Sequence, residues 1–170
     1  PLDYIIKCGG REVIRNLNIR RYMPDDAEEI AALFAKSVRE IAIEKYSPEE
    51  VEAWASYAEE IEEIRHRLAE GLTLVAKAEN RLVAFGQLKP LDHIEFLYSI
   101  KEYSRLGIAT SIYMRLEEHA ALKGANFLTT DASRVSKSLF EKLGFRLVHP
   151  VVKKRNGVEL ECFNMKKEFE

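Results

Sequence analysis

The stretch of residues 93–110 carries the residue types and spacing best suited to chemistry. It combines an extended run, a turn that contains Gly107, and the start of a helix. The first turn of a helix has backbone N–H groups without partners and lies at the positive end of the helix dipole, so it can bind a pyrophosphate. Gly107 would let the backbone approach such a ligand closely. Because a glycine at a helix start is also common for steric reasons, this pattern alone is a weak signal.

Other nucleotide and metal motifs do not occur in the sequence. It has no Gly-Lys-Ser/Thr phosphate loop and no GxGxxG, which disfavours nucleotide hydrolysis and dinucleotide binding. The cysteines Cys8 and Cys162 are too few for a disulfide framework or a four-thiolate zinc site. The histidines lack metal-ligand spacing: His66, His93, His119 and His149. The sequence therefore predicts no metal cofactor.

Two motifs give a more specific indication. Residues 104–109, Ser-Arg-Leu-Gly-Ile-Ala, resemble motif A of the GNAT superfamily of acyl-CoA N-acetyltransferases, Gln/Arg-x-x-Gly-x-Gly/Ala, except at the first position. Residues 131–145 resemble motif B of the same family and end in Glu-Lys-Leu-Gly-Phe. The resemblance covers residues 18–167, and residues 39–41 and 46–54 are similar to the YafP-like branch. Two motifs in the family's order and spacing predict an acyl-CoA-dependent N-acetyltransferase.

The resemblance implies acetyl-CoA (coenzyme A) as acyl donor and a small-molecule or peptide primary amine as acceptor, joined by direct attack in a ternary complex. Backbone amides of residues 105–110 would hold the pyrophosphate, residues 97–99 would pair with the pantetheine arm, and Ser133 would contact the cofactor from motif B. The residues predicted to bind the cofactor are Leu97, Tyr98, Ser99, Ser104, Arg105, Leu106, Gly107, Ile108, Ala109, Thr110, Ser133, Ser136 and Phe140.

Acetyl transfer needs a deprotonated amine, hydrogen-bond donors for the developing oxyanion and a proton for the departing thiolate. The backbone N–H near Leu97 is the predicted oxyanion donor. Glu95 is the predicted base, because strand alternation would place it on the same face as Leu97 and Ser99. The alternative interpretation is that the Glu95 carboxylate pairs with a nearby lysine or arginine.

Three positions depart from the family pattern. Ser104 replaces the glutamine or arginine of motif A, and Lys101-Glu102 replaces the usual His-Pro or Asp-Pro. Phe140 occupies the position of the tyrosine proposed to protonate the thiolate, which leaves Ser136 or water for that role. The missing acid keeps a second function open, that of a non-catalytic acyl-CoA-binding sensor or regulator.

Aromatic residues on or beside the second predicted helix are candidates for the acceptor pocket. Tyr46, Trp54 and Tyr57 could line that pocket, or they could serve the core or a helix–sheet contact. The nearby carboxylates have the same ambiguity, between a solvated helix face and the attraction of a cationic amine: Glu59, Glu60, Glu62 and Glu63.

The elements that must position these residues follow from caps and periodicity. After a strand at residues 18–22, Asp25 and Glu28 have capping-box spacing before the first helix. Ser47-Pro48-Glu49-Glu50 repeats that signal before the second, with an N-cap serine and a proline at the first helical position. A third helix ends at Gly71, and residues 72–78, 81–88 and 93–99 predict three antiparallel neighbouring strands.

The second half alternates helices and strands. Helices are predicted at residues 106–122 and 136–143, and strands at 127–130, 145–148, 151–155 and 158–165, the last two around an Asn156-Gly157 hairpin turn. The order β-α-α-α-β-β-β-α-β-α-β-β predicts an α/β fold of mixed α+β type, with a mostly antiparallel sheet of six to seven strands and helices on both faces. We expect one domain at residues 18–170 after an N-terminal extension at residues 1–17.

Composition limits the partners. The 170 residues are 46% hydrophobic and 32% charged, with a formal net charge of −2, which gives no electrostatic footprint for nucleic acid. The basic run at residues 153–155 is interpreted as a solvated hairpin face. No apolar stretch approaches the length of a membrane span or a secretory signal, so the sequence predicts a soluble cytoplasmic protein without a membrane partner. A homodimer stays open.

Overall fold

The computed structural model describes residues 16–169, and its elements follow the order predicted from the sequence. The strands are β1 (Asn18–Arg21), β2 (Leu72–Ala78), β3 (Arg81–Leu88), β4 (His93–Ser99), β5 (Phe127–Ser133), β6 (Arg146–Arg155) and β7 (Val158–Glu168). The helices are α1 (Ala27–Ile41), α2 (Pro48–Ala55), α3 (Ile61–Ala69), α4 (Ile108–Leu122) and α5 (Lys137–Lys142). Most of the predicted N-terminal extension lies outside the described residues.

Strand β6 corrects one prediction. The two strands expected at residues 145–148 and 151–155 form a single strand. Pro150 lies inside it, and the register with β7 shifts between Leu147 and His149. Because β6 is the edge strand of the sheet, a proline without an N–H group can be accommodated there.

The seven strands form one sheet in the order β1-β2-β3-β4-β5-β7-β6. All neighbours are antiparallel except β4 and β5, which are parallel and connected through α4. Only two residue pairs join β4 to β5, His93 with Thr129 and Ile94 with Thr130. From Glu95 onward β4 has no partner on β5, so the sheet opens at its centre.

A β-bulge in β4 sits where the opening begins. Gln87 of β3 pairs with Phe96 and Leu88 pairs with Ile94, which leaves Glu95 as an extra residue. A bulge interrupts the alternation of side chains. The Glu95 side chain therefore contacts α3, on the same side as Phe96.

Leu97 points to the other face of the sheet. Its Cδ1 atom would lie 3.2 Å from a Cβ atom placed on Gly86, close to Ile112 of α4. The prediction that Glu95 and Leu97 share one face is therefore wrong, because it assumed an uninterrupted strand.

Helices cover both faces of the sheet, as predicted. On one face, α1 buries Ile30, Leu33, Phe34 and Val38. On the other, α4 buries Ile108, Ile112, Leu116 and Ala120. These are apolar stripes at helical spacing, which position both helices against the sheet.

The helix starts agree with the prediction at α2 but not at α1. At α2, Glu50 N donates to Ser47 Oγ at 3.2 Å, and Ser47 N donates to Glu50 Oε2 at 2.7 Å, which confirms the capping box. At α1, Asp26 occupies the N-cap position, but its side chain makes no cap hydrogen bond to the helix and instead accepts from Met23 N at 2.8 Å. The difference arises because a short 3-10 turn, Pro24–Asp26, precedes the helix.

Residues with a left-handed backbone conformation (positive φ) occur at a hairpin turn and at a helix end. Asn156 (φ 49°) and Gly157 (φ 77°) form the hairpin turn predicted between β6 and β7. Gly71 (φ 63°) ends the third helix as predicted, and a Cβ atom on it would meet the Leu88 carbonyl oxygen at 2.3 Å. This contact brings the end of α3 directly against β3, one strand away from the bulge.

Candidate active site

The turn that precedes α4 leaves a row of backbone donors free. Helix α4 begins at Ile108, two residues later than predicted, and its first hydrogen bond joins Ser111 N to Gly107 O at 2.9 Å. In the described part of the chain, no N–H group of residues 105–110 donates a hydrogen bond to the protein. Arg105 (φ 65°) and Gly107 (φ 81°) are both left-handed, which curves the turn. Such a turn at the start of a 15-residue helix fits an anionic group.

Helix α1 fastens this turn to the body of the protein. Ser37 Oγ donates to the Ser99 carbonyl at 2.8 Å, and Lys36 Nζ lies 3.0 Å from Glu102. Ser104, the unusual residue of motif A, donates its hydroxyl to the Lys101 carbonyl at 2.7 Å. Lys101-Glu102, which replaces the His-Pro or Asp-Pro usual in the family, therefore belongs to the contacts that hold the turn.

The backbone of β4 faces the opening at alternate residues. Ile100 N donates to Val83 O at 3.0 Å, and in an antiparallel ladder the hydrogen-bonded pairs alternate along the strand. Tyr98 consequently directs its backbone groups to β3, whereas Leu97 and Ser99 direct theirs to the opening. The N–H group of Leu97 therefore faces the opening.

Tyr98 was predicted to contact the cofactor, but its side chain lies in a different place. Its ring packs against Phe34 at 4.9 Å and Phe85 at 5.5 Å between ring centroids. Burial raises the pKa of its hydroxyl, and a hydrogen bond with Trp54 opposes that shift. Tyr98 therefore joins the core on the α1 side of the sheet.

The two serines of motif B, Ser133 and Ser136, hydrogen-bond to each other at the start of α5. Ser133 N donates to Ser136 Oγ at 2.9 Å, and Ser136 N donates to Ser133 Oγ at 3.1 Å. Phe140, in the position of the family tyrosine, is 3% exposed and packs on Phe145 with ring centroids 5.2 Å apart. The structure thus places both hydroxyls at the helix start and the Phe140 ring in the core.

Glu95 has a cationic partner. Arg67 of α3 donates from Nη2 to Glu95 Oε1, which is the second of the two predicted interpretations of Glu95. On its other side, Glu95 Oε2 lies 3.6 Å from His93 Nε2, and His93 Nδ1 lies 2.8 Å from Thr129 Oγ1. The Glu95 and Arg67 side chains retain 22% and 34% exposure, so both are reachable from solvent.

Arg67 is held by its side chain and by its backbone. The guanidinium lies over the rings of Phe96 and Tyr57, 5.4 and 5.6 Å from the centroids. Below it, the buried Gln87 donates from Nε2 to the Arg67 carbonyl at 2.6 Å and to the Glu70 carbonyl at 2.9 Å. These contacts satisfy the last carbonyls of α3 and fix Arg67 beside the bulge.

The three predicted acceptor-side aromatics lie in one connected cluster. Tyr46 and Trp54 make an edge contact with centroids 5.5 Å apart, and Tyr57 stacks on Phe96 at 6.5 Å. Trp54 and Tyr57 are partly exposed, whereas Tyr46 is 5% exposed. Tyr46 therefore sits in the core layer, and Trp54 and Tyr57 lie nearer to the surface.

Two arginines of this region were missed by sequence reasoning. They are Arg155 and Arg67. Arg155 bonds to Glu60 and lies 5.0 Å over the Tyr57 ring. Its neighbour in the same basic run, Lys153, lies 3.1 Å from Asp131. The interpretation of residues 153–155 as a solvated hairpin face is therefore wrong for Arg155, whereas Lys153 and Lys154 are exposed. Arg67 follows the buried Ile64 by three positions, so helical spacing places it on the apolar face of α3, a signal that could have found it.

Among residues 16–169, no group of three or more histidine, cysteine, aspartate or glutamate side chains is placed to hold a metal ion. No helix in the same part of the chain combines the length and the apolar character needed to cross a membrane.

Known proteins are similar to this chain in sequence and in architecture. Residues 42–169 match the family described as the acetyltransferase (GNAT) domain. Over 138 residues the chain is 33% identical to YafP of Escherichia coli K12, an uncharacterised N-acetyltransferase, and the match covers 79% of this chain and 85% of YafP.

Solved structures have the same fold. A GCN5-related N-acetyltransferase from Rhodopseudomonas palustris matches with a TM-score of 0.89 at 34% identity, over 94% of this chain and 100% of that one. The PaiA N-acetyltransferase from Thermoplasma acidophilum, solved with coenzyme A, has a TM-score of 0.74 at 20% identity, over 91% and 99% of the two chains. The chain belongs to the GNAT family of acetyltransferases, as an acyl-CoA-dependent member.

Proposed function

We propose that this protein transfers an acetyl group from acetyl-CoA to a primary amine by direct attack in a ternary complex. The observation that carries the proposal is the free row of N–H groups at residues 105–110, which lies at the end of the opening between β4 and β5. A pyrophosphate would occupy the turn, and an extended pantetheine arm would pair with the backbone groups of Leu97 and Ser99. Motif B would contribute Ser133, next to Ser136.

Two features of the opening support acetyl-CoA as its ligand. The opening begins after Ile94 and has the unpaired edge of a strand on one side, which an amide-containing chain can complete. The turn offers donors and the positive end of a helix dipole to a negatively charged group. PaiA, which has the same fold, was solved with coenzyme A.

The chemistry needs no metal and no covalent intermediate. Bound acetyl-CoA supplies a thioester: the amine nitrogen bonds to the carbonyl carbon, the carbon–sulfur bond breaks, the amine loses a proton and the sulfur leaves as the thiol. The Leu97 N–H would donate to the carbonyl oxygen as negative charge develops on it. Glu95 would take the proton from the attacking amine, directly or through one water.

The chain offers no tyrosine at position 140 to protonate the sulfur. A thiol with a pKa near 8.5 is a fair leaving group as the thiolate, so Ser136 or water is sufficient as the proton donor. The same absence favours the second candidate function, a sensor that binds acyl-CoA without catalysis.

Binding and catalysis are tested separately. Acetyl-CoA at about 100 times its dissociation constant should stabilise the protein by about 2.7 kcal/mol, which corresponds to roughly 5–10 °C in melting temperature. Gly107→Glu should abolish that shift, because it brings bulk and like charge to the pyrophosphate. Gly124→Glu is the matched control, since Gly124 (φ 91°) is also left-handed and lies beyond the far end of α4.

An unchanged shift in Gly107→Glu would place the cofactor elsewhere. Release of free thiol from acetyl-CoA in the presence of a panel of amines then separates an enzyme from a sensor. A protein that acetyl-CoA stabilises but that releases no thiol with any amine would support the sensor.

A further inference from the structure

Where the acceptor amine would reach Glu95, the opening contains an ion pair rather than a free carboxylate. Glu95 is the first residue of β4 beyond the last pair with β5, and its carboxylate is already bonded to Arg67. A simple amine that reached Glu95 as an ammonium ion would have to take the place of the guanidinium. Arg67 would then lose its bonded partner while it lies against two aromatic rings.

Nearby carboxylates do not replace that partner. Glu63 lies 4.0 Å from Arg67 and has a half-exposed side chain, so water screens this contact. Glu60 is engaged with Arg155. His93, 3.6 Å from Glu95, is not an anion and cannot neutralise an arginine.

We propose, on the basis of the proposed function, that the acceptor is an α-amino acid: its ammonium binds Glu95 and its carboxylate binds Arg67. The incoming zwitterion replaces one ion pair with two, so every charge keeps a partner. A guanidinium accepts a carboxylate in a two-point contact, which a lysine cannot match. Because Arg67 and Glu95 touch each other, the two charged groups of the acceptor must be close together.

A second guanidinium lies beside the same aromatic ring and adds positive charge near Arg67. Arg155 lies over the same Tyr57 ring as Arg67, and its Nε atom is buried with no hydrogen-bond partner among the described residues. Buried N–H groups without partners are uncommon. Two guanidinium groups at one ring provide more donors than Glu60 and Glu95 use.

The placement of Arg67 is built into the fold. Gln87 holds the carbonyls of Arg67 and Glu70 from below, and Gly71 brings the end of α3 onto the carbonyl of Leu88. The rings of Phe96 and Tyr57 hold the guanidinium from the side. A guanidinium held in this way has less freedom to lose when a carboxylate binds.

Matched acceptors test the proposal. Thiol release should be measured with phenylalanine, leucine and glutamate and with the corresponding α-amides, which keep the amine and lose the carboxylate. The wild type should have a kcat/KM for the acids at least about 10-fold above that for the amides, because a hydrogen bond to a charged group is worth about 1.5–3 kcal/mol.

Arg67→Gln should lower kcat/KM for the acids by about 10- to 100-fold, mainly through KM, with little change for the amides. Arg67→Lys should retain part of the preference for acids over amides, because lysine keeps the positive charge but cannot make the two-point contact with a carboxylate. Arg65→Gln is the control: Arg65 is on the same helix, but it pairs with Glu28 of α1. Melting temperatures of all variants report whether they are folded.

The outcomes separate the two proposals. Equal turnover of acids and amides by the wild type, or an equal loss for both in Arg67→Gln, would overturn the amino-acid acceptor and leave the acetyltransferase intact. Release of no thiol with any acid, amide or simple amine would overturn both.

Discussion

The Tyr46 hydroxyl lies between two segments that are distant in sequence: it donates to the Glu161 carbonyl at 2.7 Å and accepts from Arg134 N at 2.9 Å. Glu161 belongs to β7, and Arg134 begins the loop of motif B. The Arg134 guanidinium also lies 4.8 Å over the Tyr46 ring. Tyr46 therefore ties the entrance of α2 to the loop that precedes α5.

Tyr46→Phe should lower the free energy of unfolding by about 2 kcal/mol at neutral pH, since both polar partners lose their hydrogen bond. Burial raises the pKa of Tyr46 to about 12, above the unfolded value near 10. The contribution of Tyr46 is thus complete below pH 10 and is lost as pH rises from about 10 to 12. Urea denaturation at pH 8 and across that window should show a shallower alkaline decline in the variant. An identical decline would contradict the assignment.

Asp26 gives the opposite pH dependence. The Arg20 hydrogen bond holds the Asp26 pKa below its usual range, with a smaller contribution from the Met23 N–H and against the effect of burial. Asp26→Asn should cost about 2 kcal/mol at pH 7, because a charge-assisted, largely buried bond is lost. A lowered pKa stabilises the fold above about pH 4, so the deficit should shrink as pH falls below that value.

The exposed pair of Arg39 and Glu52 provides the control for this measurement. Its side chains are 49% and 61% exposed, so Glu52→Gln should lower the free energy of unfolding much less than Asp26→Asn does. Similar costs for the two variants, from denaturation at several pH values, would show that burial of Asp26 has no energetic effect.

Gln87 is predicted to act through Arg67. Gln87→Leu removes the side-chain donor of the carbonyls at the end of α3, so it should cost about 2 kcal/mol and raise the KM for the acceptor. Once Arg67→Gln is present, Gln87→Leu should raise that KM little further, because both changes affect the same contact. A double-mutant cycle on acceptor KM measures this coupling, and fully additive effects would refute it.

Glu95→Gln tests the base. The change keeps the volume and removes the proton acceptor, so kcat should fall by about 10²- to 10⁴-fold while the affinity for acetyl-CoA stays the same. Glu63→Gln removes the other carboxylate near Arg67 and should leave kcat within a few-fold of the wild type. A near-normal kcat in Glu95→Gln would leave water or His93 to accept the proton.

Signals that act over a few residues predicted most of the fold. The Ser47 cap with Glu50 and the Asn156-Gly157 turn were read correctly because their hydrogen bonds and φ angles are set by neighbouring residues. The apolar stripes of α1 and α4 were equally local. Together these signals predicted the element order, and the motif resemblance added the family and a proposed site for the cofactor.

The acceptor side could not be predicted in the same way. The bulge at Glu95 depends on the register between β3 and β4, and the pairing of Glu95 with Arg67 joins residues 28 positions apart. The position of Pro150 within one long strand likewise depends on β6 being at the edge of the sheet. Each of these features is decided by tertiary contacts, which periodicity does not report.

The two-pair seam between β4 and β5 has a consequence for which molecules can reach the unpaired edge of β4. An unpaired strand edge normally recruits another strand and promotes aggregation. Here the unpaired edge is internal, because β5, β7 and β6 continue the sheet beyond it. A whole strand with its own neighbours has no room to enter, whereas a single narrow chain can. The fold thus keeps a reactive edge available to a thin ligand and hidden from other proteins.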